Sequence, residues 1–198
     1  GTPHEASAPP SLYQKYAGHD NNRDGFALNL PESKLLGKLM YRDWLPQAYM
    51  DHHQMGSGNA RIVIPPYAEP IRPDGDPLVW REINWFGSHM GTKLEAAGKT
   101  GVIGAAIYSG WGHMGFHWIT PFHNIAGMLA ESASARLATP VFIHPDQLRG
   151  GTRGLPEYEA QTTMPSVWPG GWWRVRDIVV NQKIVAWSIV DLAARNRE

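Results

Sequence analysis

The run Asp51-His52-His53-Gln54-Met55-Gly56 directly follows the apolar, aromatic stretch Ala48-Tyr49-Met50. Every buried polar group needs a partner, so this chain has to carry a carboxylate, two imidazoles and an amide to a rim or to a common partner. We read residues 48–50 as a short buried strand with Asp51-His52-His53 at its C-terminal end, where sites form in open α/β sheets. Successive strand residues point to opposite faces, so Asp51 and His53 share one face and His52 takes the other. A metal is one common partner for such a cluster; simple hydrogen bonding of both histidines at a strand end is the other reading.

The rest of the chain frames this cluster in an α/β order. Pro31-Glu32-Ser33 opens a helix whose apolar positions Leu35, Leu36, Leu39, Met40 and Trp44 recur at helical spacing, and Pro46 ends it or begins the next segment. Arg61 to Ile64 reads as a second short strand, and the prolines and glycine of 65–77 make an ordered loop. Leu78 to Ala97 is predicted as a long helix with Val79, Ile83, Phe86, Met90 and Leu94 on one face, closed by Gly98. Val102 to Tyr108 is expected as a buried strand, and Gly110 to Trp118 as a glycine and aromatic loop. Phe122 to Ala138 is ambiguous between a helix and a short strand ending near Glu131. Residues 144–171 read as a long excursion. Trp172 to Asn196 reads as an amphipathic helix with Trp173, Ile178, Val185, Ile189 and Leu192 in its stripe. Residues 1–12 form an extended lead-in, with a short helix or turn at Leu12 to Ala17. Helices alternating with short apolar strands favour α/β.

Composition narrows the function classes. Of 198 residues, 42 % are apolar and 18 % charged, which describes a globular chain. Lysine plus arginine equals aspartate plus glutamate, at 18 each, so charge offers no argument for nucleic acid or an anionic membrane. No run of about 18 apolar residues exists to span a bilayer, and no charged-then-apolar leader opens the chain. With no cysteine, disulfides, thiolate metal sites and a cysteine nucleophile are excluded, and any zinc has to be held by histidine and carboxylate. Glycine-rich phosphate loops, the dinucleotide fingerprint and Gly-x-Ser-x-Gly are absent as well.

Three further groups carry chemistry. Gly18-His19-Asp20-Asn21-Asn22-Arg23-Asp24 is a polar island in which the Arg23 fork can hold a carboxylate or phosphate and the asparagines can add neutral donors; otherwise it is a polar turn. Glu131 stands among small and apolar residues, where a buried carboxyl has a raised pKa and suits a general base; otherwise it is a glutamate exposed on a helix. His113 and His117 stand four apart, but the nearby glycines disfavour the helix that would make them a ligand pair.

Taken in order, Gly-His-Asp-Asn-Asn-Arg-Asp, Asp-His-His-Gln-Met-Gly, the Pro-Pro-Tyr-Ala-Glu-Pro loop and Asn124-x-x-Gly-x-Leu-x-Glu131-Ser-Ala-Ser resemble the zinc carboxypeptidase family, the carboxypeptidase A-like metallopeptidases, and within it a large bacterial branch. The resemblance runs from about Gly1 to Arg197 and is strongest over 18–134. It implies an α/β sandwich of three layers, with a mixed, mostly parallel sheet flanked by helices. It implies zinc as cofactor with His53 as a ligand, Asn22 and Arg23 gripping a substrate carboxylate, and Glu131 activating water. Asp51, His52 and Gln54 are carried as supporting residues. The substrate it implies is a peptide or an acylated amino acid, and the location it favours is secreted or periplasmic. One departure stands out. The family's His-x-x-Glu ligand pair has no match in this chain, and its upstream oxyanion arginine has none in residues 1–17. The chain is therefore expected to be the C-terminal part of a catalytic domain, cut on its N-terminal side and inactive by itself, with 18–143 as the motif-bearing core. The rival readings are a non-catalytic module that binds a carboxylate or peptide, and a metal-free structural domain whose tryptophans serve an oligomer interface.

Overall fold

The computed structural model describes residues 18–112, 114–135 and 139–197. The expectations for the lead-in 1–12, the short helix or turn at Leu12 to Ala17, and His113 lie outside the described residues. A four-stranded mixed sheet organises the chain, in the order β1 (Ala48–Met55), β4 (Ala126–Ala133), β2 (Ile62–Val63), β3 (Val102–Ile103). β1 runs parallel to β4 and β2 parallel to β3, while β2 and β4 are antiparallel. The fold is α/β with a mostly parallel sheet. Among the described residues no helix is long and apolar enough to cross a membrane.

One sheet face packs against the helices α2 (Pro77–Ala96) and α4 (Val175–Arg195). The Val79, Ile83, Met90 and Leu94 stripe of α2 is buried there with Ile62, Val102, Met128 and Val185. Asp76 caps α2 by accepting from the Leu78 amide, and Gly98 closes it at φ +68, a left-handed conformation that favours glycine. Val63 and Ile103 pack instead with Leu155 and Met164, so the 144–171 excursion covers part of the sheet as irregular chain. The short helix α3 (Phe116–Ile119) lies against β1 and β4. The excursion is pinned by Arg61, whose fully buried guanidinium stands 4.2 Å from the Trp168 ring and 5.0 Å from the Trp173 ring. Arg61 also donates to the carbonyls of Ser57 and Asn59, and burial pushes its pKa down to about 10.

Several sequence expectations change here, each for a local reason. β1 extends to Met55, because β4 offers eight consecutive partners, and so His52 and His53 lie within the strand rather than beyond its end. The strand expected over 102–108 stops at Ile103. Its partner β2 runs into Pro65-Pro66, which lack amide donors, and Ala105 and Ile107 turn through positive φ. Within the ambiguous 122–138 segment, Ala126–Ala133 form the strand β4, entered through the turn Thr120–His123 and a left-handed Asn124. Trp172 and Trp173 belong to β6 (Gly171–Trp173), antiparallel to β5 (Val141–Ile143), and the helix begins only at Val175.

Helix α1 (Pro31–Lys38) forms where predicted but buries a different face. Ser33, Gly37 and Met40 point inward, whereas Leu35, Leu39 and Trp44 are exposed. A π turn at Leu39–Asp43 rotates the later residues off the α spacing, and Leu28 lies so near Gly37 that a Cβ there would meet its side chain at 2.8 Å.

Gly127 is where α3 and the sheet approach most closely. A Cβ at this position would fall 1.8 Å from Thr120 Oγ1 and 2.7 Å from the His117 carbonyl oxygen. Gly127→Ala should therefore cost about 1–3 kcal/mol of overpacking, read as a lower denaturation midpoint in urea with little change in slope.

Candidate functional site

The register of β1 on β4 pairs His53 with Glu131 and Asp51 with Leu129. Strand alternation then sorts the polar run. Asp51 and His53 share a face with Glu131, while His52 and Gln54 turn to the other. On that other side His52 meets Gln182 of α4, Gln182 Nε2 donates to Ser132 Oγ at 2.6 Å, and Ser134 Oγ donates to Gln54 Oε1 at 3.3 Å. His52 thus meets α4, Gln54 meets Ser134 just after β4, and both stand away from the Glu131 carboxylate.

On the first face, His53 Nε2 lies 3.0 Å from Asp51 Oδ1 and its Nδ1 lies 4.0 Å from Glu131 Oε1. Asp51 raises the pKa of His53, and the weaker effect of its burial opposes this. Burial raises the Asp51 pKa, but the His117 and His53 imidazoles beside it outweigh burial and hold the carboxyl well below the usual carboxylate range. Glu131 is only 5 % exposed and its Oε2 has no hydrogen-bond partner. Burial pushes its pKa up, against a smaller lowering by the Tyr108 hydroxyl bonded to it. The same burial and the neighbouring Glu131 push the Tyr108 phenol up. The face therefore holds a paired imidazole next to a carboxyl that ionises reluctantly, the difference that separates acid and base roles.

Asn22 and Arg23 come from a short turn, Asn21–Arg23, capped by Asp20, whose Oδ1 accepts from the Asn22 amide at 2.8 Å. The exposed Arg23 donates to the Asn22 carbonyl at 2.9 Å and stands 6.0 Å from the Trp118 ring centroid. Its charge lowers the pKa of His53, His117 and Tyr108, which places it electrostatically at the same site. A cleft of about 390 Å³ runs between the turn, α1 and β1, lined by Asn21, Asn22, Ser33, Tyr49, Asp51, His53 and Phe116 among others. The structure thus gathers Asn22, Arg23, Asp51, His53 and Glu131. It adds Tyr108 and His117, which sequence reasoning did not place here. His117 stood out only through its spacing from His113, and Tyr108 was expected inside a strand.

A catalytic zinc ion takes three protein ligands and keeps a further position open for water. His53 suits one ligand position, since Asp51 engages Nε2 and leaves Nδ1 directed toward Glu131. Among the described residues, however, no group of three His, Asp or Glu side chains is placed to hold a metal ion. The described residues therefore do not fit a complete zinc site. Among known proteins, no family model, no curated protein and no solved structure matches the chain.

The strap that carries Asn22 and Arg23 depends on Asp24, which is fully buried. Its Oδ1 accepts from the Asn29 amide at 2.9 Å and lies 3.0 Å from His19 Nε2, while Oδ2 accepts from the Leu30 amide at 2.8 Å. Burial alone would raise its pKa, but the Leu30 and Asn29 amides and the other hydrogen bonds bring it well below the ordinary value of 3.8. A depressed folded-state pKa contributes stability above the unfolded value that is lost as pH falls through the folded one. Asp24→Asn should thus cost about 1–3 kcal/mol at pH 7. The gap from wild type should narrow as pH drops below 3.8, measured by denaturant unfolding across a pH series.

Proposed function

We propose that this chain carries the proton-handling and carboxylate-gripping residues of a hydrolase of the zinc carboxypeptidase kind, acting on a peptide or an acylated amino acid with a free carboxylate. The observation that carries the reading is the buried Glu131, with one carboxyl oxygen unpartnered, beside His53 and within the electrostatic reach of Arg23. Arg23 and Asn22 bind the substrate carboxylate and fix its register in the cleft. Glu131 accepts a proton from the attacking water, since burial raises its affinity for protons above that of an ordinary carboxylate. Tyr108 holds the Glu131 carboxyl in place, and Asp51 holds the His53 ring. Zinc, with His53 as one ligand, is the cofactor such a hydrolase would use; the described residues do not supply a complete ligand set, and none of the roles above is derived through the metal.

The incomplete donor set favours one second reading, a module that binds a terminal carboxylate without cleaving. The two separate in a single set of measurements: binding and hydrolysis of N-acyl amino acids, free or amidated at the carboxyl end, in the presence of zinc. A hydrolase binds and cleaves the free acids and spares the amides. Glu131→Gln then lowers turnover by roughly 10²–10⁴-fold while leaving binding in place, and Arg23→Ala weakens binding of the free acids alone. Selective binding without cleavage, by protein shown to hold zinc, identifies the binding module. Equal binding of acid and amide sinks both readings.

A further inference from the structure

The His117 imidazole is 2 % exposed, and neither ring nitrogen has a hydrogen-bond partner. A buried polar group in that condition is costly, and a hydrophobic side chain would fill the same space without the cost. The polar group that the ring approaches is Asp51: His117 Nδ1 lies 3.7 Å from Asp51 Oδ2, while the other oxygen of that carboxylate lies 3.0 Å from His53 Nε2. Asp51 therefore stands between two imidazoles. The terminal torsion of an aspartate is broad, so a second contact on its other oxygen adds restraint to the carboxylate that holds His53.

His117 is itself firmly placed. Its ring centroid lies 4.4 Å from that of Trp118 and 6.1 Å from that of Tyr67. Its carbonyl accepts from Thr120 Oγ1 at 3.4 Å and sits against Gly127, whose own carbonyl accepts from the Tyr67 hydroxyl at 3.0 Å. The chain of contacts thus runs from β4 through α3 to Asp51 and His53.

We propose that His117 is a positioning residue, which fixes the Asp51 carboxylate so that it holds the Nε2 edge of His53 and keeps Nδ1 directed toward Glu131. This rests on the functional reading above only in giving that orientation a use; the orientation itself is open to measurement without substrate or metal. In the ring ¹H–¹⁵N spectrum of the full chain at pH 6, His53 should give a downfield Nε2 proton protected from exchange, assigned by its loss in His53→Gln. His117→Phe should raise its exchange rate at least tenfold or erase the signal, and His117→Gln, which keeps a donor, should restore most of the protection. Melting curves accompany each variant; should His117→Phe not fold, His117→Asn and His117→Gln carry the comparison, with less protection in the shorter side chain. A His53 proton that is unprotected in wild type, or equally protected in every folded variant, overturns the proposal. Protection that follows the prediction in a chain that neither binds nor cleaves acyl amino acids overturns the functional reading alone.

Discussion

The parallel ladder between β1 and β4 is the constraint on which the rest depends. Its eight rungs fix the register His53↔Glu131. A slip of one residue would set Ala130 or Ser132 opposite His53 and turn the carboxylate to the α4 face, since strand side chains alternate with period two. The burial of every residue in β4 enforces this register. Ala126, Met128 and Ala130 fill the helix-side core, so a shift of one residue would take them out of it and put Glu131 and Leu129 there. The apolar core thereby holds two ionisable groups from distant parts of the chain about 4 Å apart, as the 4.0 Å His53–Glu131 approach records.

The polar groups around this ladder are arranged to offset the cost of burial. Asp24 is buried but accepts from two backbone amides, and so it serves as the knot of the 18–30 strap. Arg61 is buried without a carboxylate and relies on two indole faces and two carbonyls. Asp51 is shared by two imidazoles. Arg61 still keeps Nε and Nη1 unpartnered, and Glu131 and His117 also keep unpartnered polar atoms in the interior, theirs beside the cleft-lining Asp51 and His53. Residues that break the rule of satisfaction next to a cleft are where function is to be sought.

Much of this was legible in the sequence where local patterns are strong. The α2 stripe and its closing glycine follow from spacing and from the conformational freedom of Gly98, and the division of Asp51 and His53 from His52 follows from strand alternation. Legibility failed where tertiary partners decide. The apolar residues of α1 suggested a buried face through Leu35, Leu39 and Trp44, yet a π turn and the close approach of Leu28 to Gly37 selected Ser33, Gly37 and Met40. The run 102–108 looked like a strand because it is apolar, but its neighbour had spent its donors at Pro65 and Pro66, so the chain was buried as a turn instead.

What the sequence determined by itself is the inventory: an α/β chain without thiols, a polar run that alternates across a strand, an Asn-Arg turn and a glutamate in apolar surroundings. Those are properties of residue type and short-range periodicity, which the chain carries wherever it folds. Only the tertiary structure decided that Glu131 stands beside His53, that Tyr108 and His117 belong to the same site, and that His52 meets Gln182 of α4. These depend on strand register and on contacts between residues far apart in sequence, and they are fixed by burial of the whole sheet rather than by any local pattern.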